Sequence, residues 1–298
     1  MTFGEHLEEL RGRLMKGVLA FAVAFAAAFA FQDQLLRFFQ RPYEAARASV
    51  NAELLGRWKE RPPAEWEQAV SALLDLLTAK AVVAEPELVR VRQLVERETL
   101  EAAPKLGPLQ SIGMLEGFNA YMLVCLIAAG VVSAPILLWQ LWRFVAEGLY
   151  DTEQRLVLKV LPVSLLLFFV GVSFGYGVMA EMSVRFLIGY GDIEMLRPQV
   201  SIGSYLGILL LLLVVMGLTF QIPLVMTVLA ATGLVGADFY RGKRRHFVLV
   251  IVIVAAIITP PDYVSQMLVA GPMWLLFEIG VGLAASAGKR RAARGADA

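Results

Sequence analysis

The sequence has little of what a secreted, nucleic-acid-binding or catalytic protein needs. It contains one cysteine, Cys125, so no disulfide can form within the chain. Only 18% of its residues are charged and the net charge is +1, which excludes the basic footprint of a nucleic-acid-binding protein. Its two histidines, His6 and His246, belong to no metal-ligand spacing, and no phosphate loop or nucleotide fingerprint occurs. We therefore expect no catalytic site, no metal and no cofactor.

Long apolar blocks are what the chain does have. Hydrophobic residues make up 58% of it and its mean hydropathy is +0.65, which excludes a single soluble domain. A membrane-spanning helix needs roughly 20 mostly apolar residues. The sequence predicts an all-α polytopic membrane protein with six transmembrane helices. They are expected at about 14–31, 119–145, 157–180, 201–231, 246–259 and 264–283.

The first apolar block is open to a second interpretation, a cleaved signal peptide. The residues that follow it, Phe31-Gln32-Asp33, lack the small-residue pattern of a cleavage site. We therefore favour a retained helix.

The positive charges of the short loops predict the orientation of the helices. Lys and Arg concentrate in the short segments on one side, whereas those on the other side hold only Arg185 and Arg197. Positively charged short loops face the cytoplasm, so both termini are expected there. This divides the chain into an N-terminal segment with the first helix (1–34), an external loop (35–112), helices two to six (113–284) and a basic cytoplasmic tail (285–298).

The external loop carries eleven Lys and Arg against eleven Asp and Glu, which indicates a water-facing segment. Pro62-Pro63 precedes an apolar helical stripe that runs from Trp66 to Leu77, and a second stripe runs from Leu88 to Val95. We interpret the insertion as a helical hairpin outside the membrane. It either packs on the outer face of the membrane domain or binds a partner.

The last two helices are predicted to be short. Residues 247–258 would span about 18 Å of a hydrocarbon core about 30 Å thick. Pro260 and Pro261, between Thr259 and Asp262, cannot continue a helix and predict a sharp turn. Either this hairpin stops short of the far interface or the bilayer thins around it.

A G-x-S-x-G pattern in the third helix raises intramembrane proteolysis as a hypothesis. Its Ser173 needs a base within hydrogen-bond reach. Both histidines lie at predicted cytoplasmic ends of helices, whereas Ser173 lies in the outer half of its span. Gly171 with Gly175, and Ser173 with Gly177, instead form two small-residue faces suited to helix packing. We favour packing.

Two polar residues lie within predicted spans, where they are costly. Gln221 precedes Pro223 and either satisfies a backbone carbonyl that the proline frees or contacts cargo. Glu278 lies near the cytoplasmic end of the sixth helix and either extends toward the interface or has a function.

Carboxylates also stand at the basic cytoplasmic face. Glu9 precedes Arg13 by four residues, and Asp151 and Glu153 follow the second helix. Such groups can bind guanidinium ions bidentately, or serve only as helix caps and i, i+4 pairs.

Several motifs in fixed order resemble the TatC family, the core subunit of the twin-arginine protein translocase. They are the His-Leu-x-Glu-Leu-Arg-x-Arg-Leu run from His6 to Leu14, the run from Ala134 to Phe144 followed by Gly148-Leu149-Tyr150, the Thr259-Pro-Pro-Asp262 turn followed by Ser265-Gln266, and Leu276-Phe-Glu-Ile-Gly280. The resemblance covers about 1–35 and 109–284.

The resemblance implies a non-enzymatic receptor in the inner membrane of a prokaryote. It binds signal peptides with paired arginines at its cytoplasmic face and nucleates assembly for export of folded proteins, driven by the protonmotive force. It implies partners in single-span TatA- and TatB-type subunits and in membrane lipid, and an oligomer, with no nucleic acid. The matched residues are Glu9, Arg11, Leu149 and Glu153 for the signal peptide, Gln221 and Glu278 as intramembrane polar residues, Thr259 and Gln266 for partner helices, and Pro260, Pro261 and Asp262 for the hairpin turn.

The chain departs from the family pattern in three places. Glu147 stands where the family commonly has proline, Gln154 replaces a usually basic residue, and an insertion occupies roughly 45–105. The alternative function is a proton- or ion-coupled small-solute transporter that uses Gln221 and Glu278, and a structural scaffold is a third hypothesis.

Overall fold

Helices account for nearly all regular structure in the computed structural model, which describes residues 3–60, 64–79, 90, 93–94, 97, 105–148, 151–189, 199–258 and 263–296. The helices are α1 (Phe3–Ala30), α2 (Gln32–Glu60), α3 (Ala64–Ala79), α4 (Glu116–Glu147), α5 (Asp151–Phe174), α6 (Ala180–Gly189), α7 (Ile202–Thr219), α8 (Ile222–Ala231), α9 (Ala237–Gly242), α10 (Arg244–Ile258) and α11 (Tyr263–Ala296). A π-helical turn, Gly175–Met179, joins α5 to α6. No strand occurs within these described ranges, and the predicted all-α fold is confirmed.

Five helical segments of the described chain are long and apolar enough to cross a membrane. They are Glu8–Ala30, Glu116–Glu147, Val160–Ile188, Ile202–Ala231 and Gln266–Lys289. They correspond to the predicted spans one to four and six. A polytopic helical membrane protein is therefore confirmed, whereas the location of both termini in the cytoplasm stays a prediction.

The predicted fifth span is the short helix α10. Its 15 residues rise about 22 Å at 1.5 Å per residue, less than the roughly 30 Å hydrocarbon core. The expectation of a short sixth helix is wrong, because α11 runs for 34 residues, and its apolar part covers 24. The chain after Leu283 has no proline to end the helix, so α11 continues into the predicted tail.

The described residues cluster into two compact units. One comprises Met1–Pro42, Ser111–Ser183 and Ser201–Ala298, and the other comprises Tyr43–Gln110 and Val184–Val200. The second unit contains the later part of α2 and all of α3. The boundaries of the four segments predicted from the sequence stay predictions.

The second unit includes most of the insertion that the sequence analysis interpreted as a helical hairpin. Helix α3 confirms the first predicted stripe, whereas the second stripe falls largely outside the described residues. Helix α2 was not predicted from the sequence. It extends to Glu60 and is tied to the chain near Leu106, since the Asn51 side chain accepts from the Leu106 N–H at 2.7 Å and donates to its carbonyl at 3.2 Å.

Tyr43 strengthens this attachment within the second unit. Its side chain is fully buried, and its hydroxyl donates to the Gly107 carbonyl at 2.8 Å. Burial raises the pKa of the Tyr43 phenol, so the group remains a donor.

The start of α2 is held by tyrosines from two other helices of the first unit. Pro42 has no N–H, so the Phe38 carbonyl one turn earlier loses its helical donor. The Tyr176 hydroxyl donates to that carbonyl at 2.6 Å and its ring stacks on Phe38 at 4.8 Å between centroids. The Tyr205 hydroxyl donates to the next carbonyl, that of Phe39, at 2.7 Å.

Glycines allow α5 and α7 to pack closely. A Cβ on Gly171 would lie 2.8 Å from the Met216 carbonyl oxygen, and one on Gly217 would lie 2.8 Å from the Phe168 ring. The predicted small-residue face of Gly171 and Gly175 is therefore confirmed. The face of Ser173 and Gly177 does not pack against another helix of the described chain, because Ser173 is exposed and Gly177 has open space beside its Cα.

Candidate functional site

A buried polar network joins three transmembrane helices around Ser164 of α5. The Trp142 indole N–H on α4 donates to the Ser164 hydroxyl at 2.8 Å, and this hydroxyl donates to Gln221 Oε1 at 2.5 Å. Gln221 Nε2 donates back to the Ser164 carbonyl at 3.0 Å. All three residues are buried, with exposed fractions of 4% for Trp142, 0% for Ser164 and 8% for Gln221.

Gln221 takes part in this network because it lies at a break in the fourth span. Helix α7 ends at Thr219, and α8 begins at Ile222 with Pro223 in its first turn. The predicted local role, a bond to the carbonyl that Pro223 frees, is wrong, although Gln221 does bond a backbone carbonyl. The carbonyl belongs to α5, however, and not to the helix that Pro223 interrupts.

A second polar group, which we call the Glu9 cluster, joins α1 to the end of α4 and consists of Glu9, Arg13 and Glu147. Arg13 Nε donates to Glu9 Oε1 at 2.9 Å. Arg13 Nη2 donates both to the same oxygen and to Glu147 Oε1. The three side chains are largely buried, with 11% of Arg13, 21% of Glu9 and 23% of Glu147 exposed.

The Glu9 cluster is unbalanced in charge and in hydrogen bonds. Two carboxylates share one guanidinium, which leaves a formal charge of −1. The second oxygens, Glu9 Oε2 and Glu147 Oε2, are buried and have no hydrogen-bond partner within the structure. A buried acceptor without a donor is unfavourable, so a cationic donor that reached these atoms would stabilise the cluster.

An apolar groove lies beside the Glu9 cluster, between α1 and α4. Its volume is about 330 Å³, and Arg13 contributes to its wall. The other lining residues are Leu10, Leu14, Gly17, Val18, Phe21, Leu137, Gln140, Leu141 and Phe144. The same end of these helices therefore offers an ionic site and an adjoining apolar surface.

The predicted polar residues of the last two helices have partners. Arg244 Nη2 at the start of α10 donates to Glu278 Oε2 at 2.7 Å, so Glu278 is held by an ion pair with 27% of its side chain exposed. Gln266 Nε2 donates to the Val252 carbonyl at 3.1 Å and links α11 to α10. The Phe247 and Phe277 rings stack at 4.6 Å between the same two helices.

The remaining predicted site residues are placed only in part. Arg11 is exposed on α1. The backbone of Glu153 lies in the first turn of α5, but its side chain lies outside the described residues. The predicted site residues Leu149, Thr259, Pro260, Pro261 and Asp262 also lie outside the described residues.

Sequence analysis missed the contact between Arg13 and Glu147, which are 134 residues apart. The presence of glutamate in place of the family's proline was its only signal. It also missed Ser164, which no motif singles out. Within the described residues, no group of three or more His, Cys, Asp or Glu side chains is placed to hold a metal ion.

The fold and the buried polar groups define a polytopic helical membrane protein with a polar site at one end of α1 and α4. Comparison with known proteins identifies the family. The family model described as Sec-independent protein translocase protein (TatC) matches residues 5–272. The chain belongs to the TatC family and is a multi-pass membrane subunit of the Tat protein translocase. The TatC family is not a family of catalytic enzymes.

Curated relatives cover nearly the whole chain. The TatC protein of Desulforapulum autotrophicum is 30% identical over 97% of this chain and 86% of its own length. That of Aquifex aeolicus is 27% identical over 98% of both. That of Escherichia coli is 31% identical over 64% of this chain and 74% of its own.

A solved structure has the same fold. The crystal structure of a protein described as Twin Arginine Translocase Receptor TatC is 25% identical and superimposes with a TM-score of 0.67. The match covers 95% of this chain and 99% of the solved one.

Proposed function

We propose that this translocase subunit binds the paired arginines of export signal peptides at its cytoplasmic face, through Glu9 and Glu153 with Arg11 and Leu149 beside them. The observation that carries the proposal is the Glu9 cluster, where buried carboxylate oxygens lack donors. A guanidinium supplies planar N–H pairs that match a carboxylate, whereas an ammonium ion supplies a point charge.

The surroundings of Glu9 support an occupant that is cationic at one end and apolar along its length. The groove between α1 and α4 shares Arg13 with the Glu9 cluster and is lined almost entirely by apolar side chains. A signal peptide has such a composition, with its arginines preceding an apolar segment that must leave water.

The same proposal includes the partners and the energy source. TatA- and TatB-type single-span subunits would dock on the hairpin of α10 and α11 near Thr259 and Gln266, and the protonmotive force would drive transport. The shortness of α10 supports a docking role, because a helix of 15 residues is shorter than the hydrocarbon core and can be accommodated by local thinning or by association with other helices. The proposed orientation places both termini in the cytoplasm, and the protein functions as an oligomer.

The transporter alternative receives no support from the polar groups on which it depends. Both ends of the Gln221 amide are taken up by Ser164, and the Glu278 carboxylate is paired with Arg244. A coupling site needs groups that are available to an ion or a solute.

Photocrosslinking tests the proposal. A signal peptide with paired arginines is compared with its paired-lysine version on the purified full chain, and on the Glu9→Gln and Glu153→Gln variants. We expect each variant to lose about tenfold of the arginine-dependent crosslinking, the equivalent of about 1.4 kcal/mol for one charged hydrogen bond.

Glu8→Gln is the matched control for this experiment, because it removes one exposed carboxylate from the same turn of α1. It should crosslink like the unmodified protein. Undiminished, arginine-dependent crosslinking in both the Glu9 and the Glu153 variants would contradict the site.

A further inference from the structure

Glu147 stands at an unfavourable position for a carboxylate. It is the last residue of α4, where the partial charge of the helix dipole is negative, and the last turn contains no basic residue. Its only described hydrogen-bond partner is Arg13 of α1, which Glu9 shares. A carboxylate kept at such a position needs a second cation to balance it.

The count of charges and donors in the Glu9 cluster shows what is missing. Glu9 and Glu147 carry two negative charges, Arg13 carries one positive charge, and Arg13 bonds only to Oε1 of each carboxylate. The two Oε2 atoms are buried, and no donor to them occurs among the described residues. One further monovalent cation with several donors would neutralise the cluster and satisfy both atoms.

A guanidinium fits this requirement better than an ammonium ion. It is planar, has five N–H donors in a fixed fork, and binds two acceptors at once without losing its geometry. The ammonium group of lysine is more strongly hydrated, so its transfer to a site of mostly buried side chains is less favourable. The site should therefore distinguish arginine from lysine.

We propose that Glu147 is a specificity-determining residue, which binds one guanidinium of the arginine pair together with Glu9 through their two Oε2 atoms. Both atoms are buried in the peptide-free protein, so the two side chains must rotate to reach the guanidinium. This inference rests on the proposed function. Arg13 is then a positioning residue: it holds the two carboxylates side by side, and its guanidinium does not bind the arginines of the peptide. The other arginine is assigned to Glu153, as in the proposed function.

Double-mutant cycles between the protein and the peptide test this assignment. Affinities are measured by fluorescence anisotropy for four peptides, with Arg-Arg, Lys-Arg, Arg-Lys or Lys-Lys at the pair, on the full chain in detergent. We expect Glu147→Gln to weaken binding of the Arg-Arg peptide about tenfold. The effect of Glu147→Gln should be coupled to only one of the two arginines. The peptide in which lysine replaces that arginine should therefore bind the variant and the unmodified protein equally well.

Two further variants keep the test decisive. Glu147→Asp retains the charge and the pairing with Arg13 but shortens the reach by one methylene, and it should lose about threefold with the same selectivity. Glu8→Gln serves as the control for loss of a neighbouring surface charge and should change no ratio. If Glu147→Gln does not fold, the Glu147→Asp ratios decide.

If Glu147 had only a structural role, Glu147→Gln would weaken the binding of all four peptides by the same factor or would leave all four affinities unchanged. Either result would overturn this inference and leave the proposed function standing. A full-length protein that binds the Arg-Arg and Lys-Lys peptides equally would overturn the proposed function and this inference together. Loss of affinity confined to one arginine supports both.

Discussion

Helix α4 contributes to two polar groups of opposite character only five residues apart. Trp142 belongs to the network around Ser164, in which every described side-chain donor and acceptor is neutral. Glu147 belongs to the Glu9 cluster, in which all three side chains are charged and two acceptors lack donors. The two groups differ in whether their hydrogen bonds are complete within the chain.

The difference separates structure from binding. A network that is closed within the protein stabilises the packing of α4, α5 and α8 and leaves nothing for a ligand. A cluster with a charge deficit and open acceptors is less stable alone and gains from a bound cation. Burial of polar groups alone does not indicate function here. Incomplete pairing alone does not either, since the neutral hydroxyls of Ser183 and Tyr240 are also buried without a partner among the described residues. What sets the Glu9 cluster apart is that its unpaired acceptors are charged and lie beside an apolar groove.

The largest effect on stability is expected from breaking the Glu9 cluster itself. Arg13→Gln would leave two mostly buried carboxylates facing each other without a cation, and should lower the free energy of unfolding by about 3 kcal/mol. Thermal unfolding in detergent measures the loss.

Two further variants serve as controls for Arg13→Gln. Replacing Arg13, Glu9 and Glu147 together by methionine should recover most of the lost stability, and Lys16→Gln, at an exposed position, is the matched single-charge control. A loss below about 0.5 kcal/mol for Arg13→Gln would show that the ions are solvated.

Opening the closed network should have a smaller effect on stability and none on recognition. Ser164→Ala removes the shared hydroxyl, so the Trp142 N–H and Gln221 Oε1 lose their partner at a cost of about 2 kcal/mol. The preference for arginine over lysine peptides should stay unchanged. Ser173→Ala, at an exposed serine on the same helix, is the control. A changed preference in Ser164→Ala would show that the network belongs to the binding site.

A single hydrogen bond outside both groups should matter less. Tyr176→Phe removes the hydroxyl that replaces the donor missing at Pro42 and keeps the ring stacking on Phe38. We expect a loss of about 1 kcal/mol in thermal unfolding. Tyr263→Phe, at an exposed ring, should be neutral. Equal behaviour of the two variants would show that the Phe38 carbonyl does not depend on Tyr176.

The smallest effect is expected at the pair of Glu278 and Arg244. Arg244 lies before the predicted fifth span, and half of its side chain is exposed, so the pair is expected at the membrane interface, where water screens it. Glu278→Gln should change the free energy of unfolding by less than about 0.5 kcal/mol, as should the exposed Asp238→Asn. A loss near that of Arg13→Gln would place Glu278 with the buried ions.

The sequence predicts the helical membrane fold because apolar length and loop charge are local properties. The shortness of α10 is predicted by the same count of consecutive apolar residues. The length of α11 and the extent of α2 are harder to predict. No proline follows the apolar block of α11, and Gly288, which directly precedes the basic residues, does not end the helix. Pro42 lies inside α2 instead of ending it, since Tyr176 supplies the donor that the helix lacks.

The candidate site is predictable only residue by residue. Glu9 and Gln221 are recognisable from their motifs, but their partners are not, since Arg13 meets Glu147 across 134 residues and Gln221 meets Ser164 across 57. No periodicity reports such a contact. The sequence also leaves open whether a polar residue is satisfied, and this property distinguishes the two groups on α4.

The affinity ratio of paired-arginine to paired-lysine peptides tests the central claim most directly. It is independent of the fraction of folded protein, because both peptides bind the same molecules. We expect a ratio of at least about ten for the full chain, a ratio near one for the Glu9→Gln, Glu153→Gln double variant, and an unchanged ratio for Ser164→Ala. A ratio that survives in the double variant, or that disappears in Ser164→Ala, would contradict the account.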